Sequence, residues 1–319
     1  MAGYPQVLGG VTRKLSDSVT IHSTPFKRAN YFNFGARMAI LELNKSDEYV
    51  IWSPLPMSEE FRNCLKYSGI NKENDNVIND DNFSQFNNKV VAIIVPDNEH
   101  LLSIRQNLKG KFFPNSKIIG MNDLKNLSNN DLNLIDIKFD SNLANKIVKR
   151  DQLRTDLNIS NQNIINDLEF IYLNGHENKE LLMLHKSSKT LFQADLLFNI
   201  ESKYSEQYSY NLSSSPFFSS NNKDNFFIYP KSPLNDNFTN HNPNSYSSFL
   251  TRFLQPNSSL FKNIFVKKLL FPIKSENNKL AIKQIYDDWN FDNIVLCHGN
   301  VIEKTGRDVF FNVFNDYLK

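Results

Sequence analysis

Between Lys89 and Pro96 the chain reads Val-Val-Ala-Ile-Ile-Val, with no polar residue to break the run. A strand with one wet face alternates apolar and polar side chains. A run without alternation belongs to a strand covered on both faces, as in a parallel sheet with helices packed outside it. The next residues support that placement. A helix is expected over about His100–Leu108 and a second strand over Lys117–Gly120, and strand, helix, strand in that order is a βαβ unit. This one feature restricts the chain to a layered α/β architecture.

The flanking segments extend it. Ser18–Ser23, Ala36–Leu43 and Tyr49–Trp52 read as strands set off by turn residues, and Ser58–Gly69 reads as an amphipathic helix with Ser58 as its N-cap. Farther on, Leu168–Leu173, Glu180–His185 and Thr190–Phe198 form a meander, with turns at Asn174–Lys179 and Lys186–Lys189. From Glu201 to Leu260 the composition shifts to Ser, Asn, Tyr, Phe and Pro with little periodicity. We expect a low-complexity, flexible insertion over residues 201–260, interrupting one domain built from residues 1–200 and 261–319. The last part supplies a helix over Asn278–Trp289, a strand over Asn293–Cys297 and a terminal helix from about Arg307.

Charge and cysteine content narrow the function classes. The 319 residues carry a formal net charge of +2, with basic and acidic residues interspersed. Nucleic-acid binding would call for clustered Lys and Arg, so no nucleic-acid partner is expected. The two cysteines, Cys64 and Cys297, make no CxxC pair, which argues against a zinc ribbon or disulfide framework. No run approaches the roughly 20 apolar residues of a membrane helix, so no membrane partner is expected. The N-terminus lacks the basic start and apolar core of a signal peptide, which makes a cytoplasmic location, or a nuclear one, the expectation. The sequons at Asn158, Asn211, Asn237 and Asn257 are then read as chance products of an Asn-rich chain.

Several segments taken together resemble the metallo-β-lactamase superfamily. Ile93-Ile-Val-Pro-Asp-Asn-Glu-His-Leu-Leu102 stands where that family carries its HxHxDH loop. Asn174-Gly-His176, then Leu191-Phe-Gln-Ala-Asp195-Leu-Leu-Phe198, resemble its Gly-His turn and its Gly-Asp-x-Leu-Phe element, and Val295-Leu-Cys-His298-Gly299 resembles its last motif. The chain is more closely similar to DUF4336-type members, through His22-Ser-Thr-Pro-Phe-Lys-Arg28, Ile51-Trp-Ser-Pro-Leu-Pro56, His185-Lys-Ser-Ser-Lys-Thr-Leu191, Asp195-Leu-Leu-Phe-Asn199 and His298-Gly-Asn-Val-Ile-Glu303. The resemblance implies an αββα sandwich of mixed sheets flanked by helices.

It also implies a damaged metal site. Where the family pattern has His, His, Asp and His, this chain has Pro96, Asn98, His100 and Leu101. Pro and Leu cannot ligate, and an amide is a poor zinc ligand, so the usual two-metal arrangement is lost. The surviving candidate ligands are His100, His176, Asp195 and His298. His100, Asp195 and His298 could hold a single zinc or iron ion as two imidazoles and a carboxylate.

The leading expectation is therefore a catalytically impaired protein without cofactor, binding a small molecule or a protein partner. The first alternative is a mono-metal hydrolase of an ester, thioester or phosphoester, with Asp195 as the catalytic residue orienting the attacking water. The second is a scaffold that recruits partners through residues 201–260. Of the remaining histidines, His22 and His185 are read as structural and His241 as without a role, and His176 as solvated in its turn if it binds no metal. Cys297 is read as a buried structural thiol, since neighbours in a strand face opposite ways and it would not meet His298. Lys27, Arg28, Arg37 and Lys186–Lys189 could form a basic rim to the site.

Overall fold

The computed structural model describes residues 3–5, 7–70, 88–218, 226–229 and 242–319. Among these, one sheet runs in the order Phe226–Tyr229, Gly10–Ser16, Val19–Thr24, Ala36–Glu42, Tyr49–Trp52, Val90–Ile94, Lys117–Met121 and Ile137–Phe139. The second runs Ile147–Val148, Leu168–Leu173, Glu180–His185, Thr190–Gln193 and Asn293–Leu296. The apolar run Val90–Ile94 lies in the middle of the first sheet, parallel to Tyr49–Trp52 on one side and Lys117–Met121 on the other. It is covered on both faces, which is why its sequence does not alternate.

Side-chain period then builds four layers. In Ala36–Glu42, Ala39 and Leu41 point into the space between the sheets, where they meet a cluster containing Phe170, Met183, Phe192 and Val295 from the second sheet. Met38 and Ile40 point outward and pack under Phe61, Cys64 and Leu65 of the helix Glu59–Ser68. The outer face of the second sheet, with Leu182, Leu184 and Ile294, is covered by Ile282 and Ile285 of the helix Glu276–Asp288 and by Phe310 and Phe314 of the helix Gly306–Phe314. The result is the expected αββα sandwich. Its local signals hold in detail at the helix Glu59–Ser68. Ser58 accepts the N–H of Phe61 and Gly69 closes the end at φ 88°, a left-handed conformation that suits glycine.

Three segments differ from expectation. The strand expected over Thr190–Phe198 ends at Gln193, because the Gln193 amide bonds both the N–H and the C=O of Leu197 and folds the chain into a loop. The helix expected over His100–Leu108 is two short turns, Leu102–Arg105 and Leu108–Lys111, separated by Asn107 at φ 50°. Residues Phe261–Leu270, just past the expected insertion and given no element from the sequence, form a wide-turned helix with i to i−5 hydrogen bonding that ends at Phe271 N–H to Val266 C=O.

The described parts of residues 201–260 pack against the sandwich. Phe226–Tyr229 pairs with Gly10–Arg13 at the edge of the first sheet. Tyr204 to Tyr208 are buried, and Glu206 joins the buried guanidinium of Arg13 at 2.8 Å and that of Arg37 at 3.6 Å. His241 and the sequon Asn237 lie outside the described residues. No helix among the described residues is long and apolar enough to cross a membrane.

Candidate metal centre

Thr190–Gln193 and Asn293–Leu296 run parallel, with Gln193 opposite Leu296. Two residues beyond each strand the chain delivers Asp195 and His298 to the same edge. Val90–Ile94 feeds a loop that delivers His100 there. Loops at the carboxyl ends of parallel strands are where layered α/β folds place their sites. His100, Asp195 and His298 each direct a donor atom so that all three lie within 4.8 Å of one another.

Each donor is held by its neighbours. The His298 ring bonds the Gly35 carbonyl through Nδ1 at 2.7 Å. A carbonyl only accepts, so Nδ1 carries the proton and Nε2 offers a lone pair. That lone pair faces Asp195 Oδ1 at 3.3 Å, and Oδ1 has no hydrogen-bond partner among the described residues. The other Asp195 oxygen accepts from the Asn178 amide at 2.6 Å. The loop backbone is fixed by Glu180, whose carboxylate takes the N–H groups of Ala194 and Asp195. His100 Nδ1 lies 2.8 Å from Asp97 Oδ1, which also accepts the N–H groups of Glu99 and His100. His100 also bonds the Cys297 thiol, and the His100 and His298 rings stand 5.2 Å apart.

Electrostatics follow from burial. Burial, with the positive field of His100, pushes His298 down to about 3, so it is neutral. Burial and the Asp97 charge push the Asp195 carboxyl up to about 7. Burial also opposes the charge on His100, but the adjacent Asp97 overrides it and holds His100 well above the usual histidine range. Glu180, buried beside Asp97 and Asp195, is raised well above the usual glutamate range. Asp97, Glu180 and Asp195 thus share a dry space with the charge of His100, which is paired to Asp97, and the raised Asp195 and Glu180 mark an environment that favours a proton or a cation.

The sequence candidates divide here. His100, Asp195 and His298 come together, and His176 stands outside their group. His176 is not solvated as its polar turn suggested. It is 2% exposed, its Nδ1 accepts the Asn178 N–H at 3.2 Å, and burial lowers it to about 4. Asn98 braces the loop instead of offering a donor, with its side-chain oxygen on the Lys125 N–H and its backbone on Asn178 and Asn126. Leu101 is in the core.

Cys297 is buried with Sγ 3.2 Å from Ser53 Oγ, and its thiol also bonds His100. His185 staples its turn between Asp167 and Ser188, and His22 bonds Thr12. The basic rim is not assembled as expected. Arg37 is fully buried on Glu206, and Lys186–Lys189 occupy the turn at the far end of Thr190–Gln193. Of these residues, Arg28 lines the cavity at the site.

Sequence reasoning missed four supports. Asp97 carried a readable signal, since an aspartate three residues before His100 is an Asx-turn pattern. Glu180, Gly35 and Gln207 carried none. Gln207 donates to the Cys297 carbonyl at 2.7 Å and accepts the Gly299 N–H at 2.8 Å, so one buried amide brackets His298 from both sides. Tyr208 donates to the Phe26 carbonyl and accepts the Gly35 N–H, which steadies the carbonyl that His298 bonds.

Among solved structures, the chain is similar to a metallo-β-lactamase from Erythrobacter litoralis with beta-mercaptoethanol in the active site. That match has a TM-score of 0.51 and 9% identity over 97% of each chain. It is also similar to a mutant flavo-diiron protein from Thermotoga maritima, with a TM-score of 0.50 and 12% identity over 97% of this chain and 60% of that one. A metallo-β-lactamase from Pontibacter korlensis aligns at a TM-score of 0.46 and 11% identity over 95% of this chain and 98% of that one. No family model and no curated protein matches the sequence. The first two likenesses bear on the fold alone, which is that of a metallo-β-lactamase-like αββα sandwich.

Proposed function

We propose that this chain is a DUF4336-type protein of the metallo-β-lactamase fold with a degenerate, single-metal centre, in which His100, Asp195 and His298 hold one zinc or iron ion. The observation that carries the reading is the pair of lone-pair atoms, Asp195 Oδ1 and His298 Nε2, that face each other at 3.3 Å with His298 already protonated on the other nitrogen. A cation between them would satisfy both, and His100 Nε2 would complete a two-His, one-carboxylate set of the kind zinc and non-haem iron accept. Pro96, Asn98 and Leu101 supply no donors for a second ion, so the two-metal chemistry of the fold is not available to this chain.

Such an ion would acidify a water and polarise an ester, thioester or phosphoester. The chain's own part is positional. Asp97 turns His100 inward, Asn178 and Glu180 fix Asp195, and Gly35 fixes the His298 tautomer. Partners of this kind tune ligands and bind the metal less well when removed.

A second reading rests on the raised Asp195 carboxyl. At neutral pH a proton shared between Asp195 and His298 would satisfy the same two atoms, giving the catalytically impaired, ligand-binding protein expected from the broken first motif. Elemental analysis by mass spectrometry of protein purified without chelator separates the two. We expect zinc or iron near one ion per chain in the parent and its loss in Asp195→Ala and His298→Ala. A metal-free parent whose thermal stability does not respond to added zinc would overturn the single-metal reading in favour of the second.

A further inference from the structure

His100 and His298 line a cavity of about 430 Å³, within the usual range of small-molecule sites. One wall is aromatic. The Tyr4 and Phe26 rings lie 4.8 Å apart, and Phe26 stacks over the His298 ring with the two planes 24° apart. Leu55 and Leu102 also line the space, so apolar carbon faces most of it.

The charged residues lining the cavity are Arg28, Glu99, Arg105 and, paired with Asp97, His100. Arg28 and Glu99 pair with each other and stay partly exposed, which marks this side as the mouth. Arg105 is exposed and has no ion pair among the described residues. Its guanidinium is therefore the uncompensated charge of the opening.

We propose that the cavity binds a small amphipathic carboxylate. An aryl or acyl body lies between Phe26 and Leu55 with its end toward His100 and His298, and the carboxylate sits on Arg105 at the mouth. Calling this ligand a substrate rests on the single-metal reading above; its binding does not. An apolar body suits the walls because its burial releases water from carbon surface on both partners. The carboxylate suits the mouth because a charge-assisted hydrogen bond to a free guanidinium costs no existing pair. Recognition then comes from the chain's own residues.

The test uses 4-phenylbutyrate and its neutral amide, titrated calorimetrically against the full chain in chelator-treated and zinc-loaded forms. A charge-assisted bond of about 1.4 kcal/mol predicts that the carboxylate binds roughly tenfold tighter than the amide in both forms. Arg105→Gln should abolish that preference and Arg105→Lys should restore part of it, with the melting temperature of each variant as the check on folding. Equal binding of acid and amide, or binding of neither to either form, would overturn the proposal. So would a carboxylate that binds only the zinc-loaded form and ignores Arg105→Gln, because its anion would then sit on the metal and support that reading alone. Arg105-dependent binding to a protein that retains no metal would uphold the cavity proposal and sink the metal centre.

Discussion

Glu206→Ala is the substitution whose cost the structure defines most sharply. The Glu206 side chain is 1% exposed and receives Arg13 at 2.8 Å and Arg37 at 3.6 Å. Arg13 keeps a second carboxylate, Glu303 at 2.6 Å, so the loss falls mainly on Arg37. Arg37 is fully buried, and its remaining partners are the Ser23 hydroxyl and the Leu296 carbonyl, neither of which carries charge. Removing one partner of a buried ion pair costs about 3–5 kcal/mol, because the other is left charged in a dry site. For a chain of 319 residues that corresponds to a fall in Tm of roughly 4–8 °C.

Urea titration and calorimetry would read this, with an unchanged slope in urea showing that compactness is kept. The double variant Glu206→Ala, Arg37→Met should recover part of the loss, because it removes the stranded charge. The pH dependence has a definite sign. Burial opposes the Glu206 charge, but Arg13 and Arg37 override it and hold the carboxyl below the usual glutamate range. Its contribution is thus present at neutral pH and is lost as pH falls below that range. A cost under about 1 kcal/mol, with no recovery in the double variant, would refute the argument.

Gln207→Leu should keep the fold but loosen the backbone on both sides of His298, weakening metal retention by roughly 10–100-fold in a chelator competition; retention equal to the parent would count against the clamp. Asp167 makes a second acid-sensitive point. Burial pushes its carboxyl up, but His185 and the N–H groups of Asn44 and Ser187 bring it down to about 2. It should therefore stabilise the chain above its ordinary value of 3.8 and lose that contribution as pH falls toward 2. Asp167→Asn should flatten this part of the stability profile, and a profile unchanged between parent and variant would refute the assignment.

Where a signal lies within a few residues, the sequence was sufficient. The unbroken run Val90–Val95 implied a doubly covered strand, Ala36–Leu43 read as a strand and Ser58 as the cap of a helix, while the sandwich itself came from the resemblance. Asp195 and His298 were legible as candidate donors through the motifs that carry the resemblance, Asp195-Leu-Leu-Phe and His298-Gly. The tertiary structure decided what depends on distant partners. His176 reads as a solvated turn residue until the core closes over it, and Asn98 reads as a failed ligand until Lys125 and Asn126 make it a brace.

The described residues of 201–260 depart most from the expected flexible insertion, and the cause is the same. Composition without periodicity predicts that a segment cannot bury itself, and within its own neighbourhood Tyr204–Tyr208 cannot. Its partners are Arg13, separated from Glu206 by 193 positions, and Cys297, separated from Gln207 by 90. A buried charge or amide is worth keeping only where its complement has already been delivered, and what delivers it is the closure of the two sheets, a step that no local pattern in the chain encodes.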